Sequence, residues 1–230
     1  MTAIILAGGF GTRLQSVVND VPKPMADING KPFLEYIFQY LSKYNITNVI
    51  LSVGYKQEII KNYFQDKYKT INIQYSCEDT PLGTGGAIKQ ALNLVQKDDG
   101  VLVINGDTFF DINLNDFYIF NTNKDFNIVI ALKELRDFDR YGSIKVENNC
   151  IKEFQEKKFI RKGYINCGVY IINKQIFDRL KTTNFSFEKF LETNLSYLKA
   201  YAYISNDSYF IDIGIPSDYE KAKIDFKEMF

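Results

Sequence analysis

Residues 2–14 read TAIILAGGFGTRL. The opening run is aliphatic and does not alternate, the pattern of a strand covered on both faces. It breaks directly into three glycines, a threonine and an arginine, and open α/β sheets hold their ligands at such strand ends. Gly8, Gly9 and Gly11 can turn amide hydrogens toward phosphate oxygens, Thr12 adds a hydroxyl, and Arg13 adds a planar fork that matches a polyphosphate. Leu6 and Ala7 carry the strand into that loop and join the candidate nucleotide-binding set. The GK[ST] ending of a P-loop is missing. Leu14 stands where a dinucleotide fingerprint needs its third glycine or alanine, and no clean ribose acid ends a second strand, so an NAD-dependent oxidoreductase is disfavoured. The plainer alternative is a tight strand-to-helix turn with a solvent-facing arginine.

Outward from this loop, the composition narrows the chemistry. The 230 residues, 46% hydrophobic, suffice for a sizeable core in one domain spanning 1–230. Lys plus Arg and Asp plus Glu each total 28, so no global field gathers nucleic acid or an anionic membrane, and any anion site must be local. The N-terminus has no basic leader ahead of a long apolar core, and no stretch nears the roughly 20 apolar residues of a bilayer span. The expectation is a soluble, cytoplasmic protein, with homo-oligomerisation left open. Cys77, Cys150 and Cys167 are widely spaced with no CxxC pair, which argues for free thiols. Histidine is absent, which excludes an imidazole base, a Ser-His-Asp or Cys-His site and any His-ligated metal.

β-Branched runs alternate with amphipathic segments: TAIILA, KPFLEYIFQYLSKY, NVILSVGY, KQEIIKNYFQDKY, INIQYSC, AIKQALNLV and VLVING. Strand, helix, strand in that order predicts βαβ crossovers and an α/β fold, a Rossmann-like mixed and mainly parallel sheet flanked by helices. After Asp107 the pattern becomes a strand (NIVIALKEL) and a β-hairpin (GSIKVENN, CIKEFQEK) turning at Asn148-Asn149. A further strand, GYINCGVYII, runs into a helix near Asn173, and a last helix carries Ser217 and Glu220 at capping-box spacing.

Four further stretches carry candidate chemistry. In VPKPM, Pro22 and Pro24 fix the backbone near extended geometry and hold Lys23 out with little freedom, as suits a reacting phosphate. In EDTPLGTGGAI, Thr84 is placed to cap a helix and Gly83, Gly85 and Gly86 leave room for a flat ligand. NGD and FIDIG put Asp107 and Asp212 at strand ends of one parallel-type sheet, able to share a magnesium ion. Beside the hairpin, Glu156 and Lys157 can bind sugar hydroxyls and a sugar phosphate together, and Asn166 can bridge hydroxyls. Singly, each has an ordinary alternative: an exposed loop lysine, a helix-start turn, unrelated turn aspartates, a solvated charged face.

Together, LAGGFGTRL, VPKPM, GTGGA, NGD, EFQEK, YINCGVY and FIDIG resemble the sugar-phosphate nucleotidyltransferase family, over Ile4 to about Ala222. The resemblance implies that residues 1–110 form a nucleotide-binding half and 111–230 a sugar-phosphate-binding half. It also implies a Mg2+-dependent reaction in which a nucleoside triphosphate and a sugar 1-phosphate give a nucleotide sugar and pyrophosphate. Arg13 and Lys23 would be catalytic, Asp107 and Asp212 would hold the metal, and Gly142, Glu156, Lys157 and Asn166 would bind the sugar phosphate. The length and the run EDTPLGTGGAIKQAL are most similar to heptose 1-phosphate guanylyltransferases. Mannose 1-phosphate guanylyltransferases, uridylyl or thymidylyl relatives and a non-catalytic regulatory subunit stay open. Glu78 falls where relatives contact the base. Guanine offers a carboxylate two adjacent donors and adenine an acceptor, which prefers GTP, although uracil's ring donor also suits Glu78.

Such chemistry tolerates a chain without histidine. A sugar phosphate is already an ionised nucleophile, so what opposes reaction is repulsion between two polyanions and misalignment of the in-line attack.

Overall fold

β1 (Thr2–Leu6) is followed by a 3-10 turn (Lys23–Met25), a small ribbon of β2 (Asp27–Ile28) and β3 (Lys31–Pro32), then α1 (Phe33–Lys43), β4 (Asn48–Val53), α2 (Gln57–Phe64), β5 (Lys67–Tyr68), β6 (Ile71–Cys77), α3 (Gly83–Leu92) and β7 (Val101–Asn105). This computed structural model describes residues 2–9, 14, 18, 20–96, 100–122 and 125–230. β1 pairs in parallel with β4 and β7, and β4 with β6, giving the βαβ core that the alternation implies. Ala3, Ile4 and Ile5 are fully buried. Ala3 and Ile5 join one apolar cluster and Ile4 the other, on opposite faces of the sheet. This double cover is why β1 needs no polar face.

Beyond Asp107 come β8 (Thr108–Phe110), α4 (Leu114–Thr122), β9 (Ile128–Phe138), β10 (Ser143–Glu147), β11 (Cys150–Gln155), β12 (Ile160–Ile172), α5 (Phe187–Asn194), β13 (Ala200–Ile204), β14 (Phe210–Asp212) and α6 (Pro216–Met229). Ten strands make one mixed sheet in the order β10-β11-β13-β9-β12-β7-β1-β4-β6-β5. Its parallel pairs are those of the first half plus β9–β13. β12 runs antiparallel to both β7 and β9 and so stitches the two halves together. The expected hairpin is β10–β11, and Asn148 (φ 51) and Asn149 (φ 59) both sit in the left-handed region that a two-residue hairpin turn demands.

Several helix ends differ from the sequence reading. α6 starts at Pro216 with Ile215 as its N-cap and no side-chain cap, so Ser217 and Glu220 form no capping box. Proline at the first turn supplies a preset φ and lacks the amide that a cap would satisfy. The helix expected near Asn173 is a single 3-10 turn (Lys174–Phe177), its first amides steered by the Asn173 side chain, which accepts from Gln175 N. The tail of the second predicted helix, Lys67–Tyr68, is instead strand β5.

α6 folds back on the first half. Phe226 stacks on Phe33 at 5.8 Å and packs against Tyr36 and Phe109 at 4.8 and 5.3 Å, and Tyr219 donates its hydroxyl to Asp27 O at 2.6 Å. Burial here contributes about 1.5–3 kcal/mol per large side chain. Among the described residues no helix is long and apolar enough to cross a membrane.

Candidate active site

Two cavities meet at the carboxyl ends of the parallel strands. The first, ≈ 760 Å³, is walled by Leu6 at the end of β1 with Gly8 and Gly9 beyond it, Ser52 near the end of β4 with Gly54 beyond it, Glu78 to Pro81 after β6, and Gly83 and Thr84 opening α3. The second, ≈ 630 Å³, lies against Arg140 to Ile144, Phe154 to Lys157, Asn166, Gly168 and Asp212. Asn105, Asp107 and Glu188 line both. A site at strand ends is what this sheet topology favours, but here it has two chambers with a shared wall.

At that wall Lys23 Nζ lies 3.2 Å from Asp107 Oδ2, with the lysine side chain only 12% exposed. The approach is not through an extended segment as the two prolines suggested. Pro22 is extended (φ −65, ψ 150), but Lys23 opens the 3-10 turn Lys23–Met25, and this turn aims the ammonium at the seam. Gly11, Thr12 and Arg13 lie outside the described residues.

On the first side, a Cβ on Gly9 would meet no atom of the described residues within 4 Å. Gly8 has a steric reason to be glycine. A Cβ there would stand 2.6 Å from Glu78 Oε1, so a bare backbone lets that carboxylate into the wall. Glu78 Oε2 accepts the Leu82 N–H at 3.0 Å and Oε1 lies 3.5 Å from Ser52 Oγ, which fixes its plane. Ala7 sits behind the wall, buried, its N–H donated to Ser52 O at 2.8 Å. Of the GTGG run, only Gly83 and Thr84 line the cavity. Gly85 and Gly86 both donate their N–H groups to Phe185 O, at 3.0 and 3.3 Å, so the chain before α5 fills the space expected for a flat ligand. Thr84 does not cap α3, whose N-cap is Leu82 with no side-chain bond. Its Oγ1 accepts the Phe187 N–H at 2.9 Å and so satisfies the first amide of α5.

On the second side, Asp212 does not end a strand of the main sheet as the sequence suggested. It belongs to a two-stranded sheet, β14 against β8, opposite Thr108, and Ile213 N donates to Asp107 O at 3.0 Å. This pairing brings the two aspartates side by side. Burial, then the neighbouring Asp107 charge, pushes the Asp212 carboxyl up from its ordinary value, against the Gly214 N–H, Lys23 and Arg140, which hold it down. Excess negative charge at paired hard oxygen donors fits a divalent cation that completes its shell with phosphate oxygens and water. Among the described residues no cluster of three or more His, Cys, Asp or Glu offers a fuller protein cage.

Asn166 stands at a bulge in β12, where the register to β9 shifts between Asn166 and Tyr170 and Gly168 takes φ +71. Its Oδ1 accepts the Gly168 N–H at 3.0 Å and its Nδ2 donates to the Tyr170 hydroxyl at 2.8 Å, leaving the second Nδ2 hydrogen for a ligand. Gly142, Glu156 and Lys157 line the same cavity, the last two exposed just past β11. Asn105, Thr108, Arg140 and Glu188 were not singled out by the sequence. Asn105 sits inside the NGD motif, at the end of β7, where only its aspartate drew attention, whereas Arg140 and Glu188 are isolated polar residues that the pairing of distant segments brings to the wall.

The chain belongs to the nucleotidyl transferase family, whose model matches residues 2–228, and is an enzyme of that class. It is 53% identical to a D-glycero-alpha-D-manno-heptose 1-phosphate guanylyltransferase of Campylobacter jejuni, over 95% of this chain and 97% of the relative. It is 49% identical to the enzyme of that name from Aneurinibacillus thermoaerophilus, over 97% of both. Among solved structures it is similar to HddC from Yersinia pseudotuberculosis, with a TM-score of 0.86 and 38% identity over 98% of this chain and 99% of that one. A second structure of HddC is complexed with GMP-PN.

Proposed function

We propose that this enzyme joins GTP and D-glycero-α-D-manno-heptose 1-phosphate to give GDP-heptose and pyrophosphate, in the cytoplasm, with residues 1–110 serving the nucleotide and 111–230 the sugar phosphate. One observation carries the reading: the two cavities share Asp107, and Lys23 reaches that shared wall. Two anionic substrates in adjoining chambers can then meet at one cation. The names of the relatives support the choice of heptose and of GTP, and Glu78 supports guanine, whose two adjacent donors a carboxylate accepts together.

In this reading the sugar phosphate arrives already ionised and attacks the α-phosphorus in line, so no side chain removes a proton. Lys23 bridges the α-phosphate and the incoming phosphate, and Lys157 holds the latter. Arg13, Thr12 and the amides of Gly8, Gly9 and Gly11 hold the phosphates that leave. Glu156, Asn166 and Gly142 read sugar hydroxyls. Asp107 and Asp212 would hold Mg2+, which when bound supplies charge neutralisation for the crowded phosphates. Positioning and charge carry the reaction, as they do for phosphoryl transfer generally.

The test is pyrophosphate release from a panel crossing GTP, ATP, UTP and dTTP with heptose, mannose and glucose 1-phosphates. GTP with the heptose 1-phosphate should give the highest kcat/KM. A higher value for mannose 1-phosphate moves the assignment to that sugar, and no release from any pair ends it.

A further inference from the structure

Arg140 lies between β9 and β10, in the wall of the second cavity. Its guanidinium is divided unequally between two carboxylates. Nη1 donates to Asp218 Oδ2 at 2.5 Å, in the first turn of α6, whereas Nη2 stops 3.9 Å from Asp212 Oδ2. That gap is beyond hydrogen-bond reach. Nη2 is nonetheless buried, and it has no hydrogen-bond partner among the described residues. The Tyr141 ring, 5.3 Å from the guanidinium carbon, covers one face of the group.

A buried guanidinium donor left unpaired is costly, and the nearest acceptor able to relieve it is Asp212. Asp212 Oδ1 is tied to the Gly214 N–H at 2.7 Å, so Oδ2 is the oxygen free to turn. A rotation that closes about an ångström would satisfy Nη2, since N–H···O bonds between charged groups run about 2.7–2.9 Å.

We propose that Arg140 is a positioning residue for Asp212. Anchored by Asp218, its Nη2 takes Asp212 Oδ2 and sets the direction in which that carboxylate faces Asp107. The fork geometry is what the role requires, because one planar group must serve two carboxylates at fixed spacing. α6 thereby acquires a part in the site that no residue of it plays by lining a cavity. The inference rests on the reading of Asp107 and Asp212 as the cation-holding pair.

The test uses Mn2+ alone as probe and the rise in melting temperature it causes in the full-length protein, with no substrate present. Arg140→Gln should raise the Mn2+ concentration for half-maximal shift by about tenfold or more, the usual cost of losing a group that orients a metal ligand. Arg140→Lys, with charge but no fork, and Asp218→Asn, with the guanidinium intact but unanchored, should each raise it several-fold. If Arg140→Gln does not fold, the other two variants decide. Midpoints within twofold of the unaltered protein overturn the proposal, even where the metal-free melting temperature falls. So does an effect confined to the KM of the sugar phosphate, which would make Arg140 a substrate contact. Asp107→Asn separates the two readings. If it abolishes the Mn2+ shift while the Arg140 and Asp218 variants keep it, only this inference fails. If it leaves the shift unchanged, the cation-pair reading fails as well.

Discussion

The two chambers are built by different means. The first is walled by the carboxyl ends of the parallel strands of the βαβ core and the loops that follow them, so Gly8, Gly54 and Glu78 arrive there by the same local rule three times over. The second is assembled from segments that share no rule: the β9–β10 loop, the end of a hairpin, a bulge in β12 and a strand, β14, that pairs outside the main sheet. A repeated crossover places a site through topology alone. An antiparallel extension places one only when particular contacts, such as Ile213 N to Asp107 O, hold separate pieces in register.

The shared wall is where the contrast is most exposed to experiment. Lys23→Ala should lower kcat by about 10²–10³-fold or more, the scale for losing one preorganised charge-stabilising group, with the circular-dichroism spectrum of the folded protein unchanged. Turnover within a few-fold of the unaltered enzyme would mean that the chambers do not react across this residue. Next in size, the two sides should separate kinetically. Glu78→Gln should cut the preference for GTP over ATP by about 10–100-fold, while Asn166→Ala should raise the KM for the sugar phosphate about five- to tenfold, one hydrogen bond's worth. If each variant instead affected both substrates equally, the division into chambers would be structural only.

The smallest effect concerns stability. The folded carboxyl of Asp212 sits above its ordinary value, so its contribution to stability is fully present below the unfolded value, about 3.9, and is lost as pH rises through the folded one. Ionised Asp212 therefore costs the metal-free protein stability at neutral pH. Asp212→Asn should raise the melting temperature in EDTA by about 1–3 °C at pH 7, and the gain should shrink toward pH 4. A lower melting temperature at pH 7 would show that Arg140 and Lys23 outweigh burial.

How much of this was legible can be followed residue by residue. β1 was readable because three consecutive aliphatic residues have one explanation, burial on both faces. The hairpin was readable because few residues other than Asn, Asp and Gly turn at positive φ readily. Lys23, Glu78, Asp107, Glu156, Lys157 and Asn166 were found in motifs, and all line a cavity. The errors came where a local pattern met a distant competitor. Gly85 and Gly86 looked like a ligand platform, and the Phe185 carbonyl occupies them. Thr84 looked like the cap of its own helix, and it serves α5 instead.

The sequence by itself determined the βαβ alternation of the first half, the hairpin turn at Asn148-Asn149 and, through the absence of histidine, that no imidazole takes part in the chemistry. Only the tertiary structure decided that Asp212 stands beside Asp107, that Arg140 reaches toward Asp212 from Asp218, and that Glu188 borders both chambers. The reason is physical. Propensity, turn chemistry and strand periodicity act over a few residues and leave a mark in the order of the chain. The pairing of β14 with β8 and the docking of α6 on α1 instead depend on apolar burial that no short stretch of sequence contains.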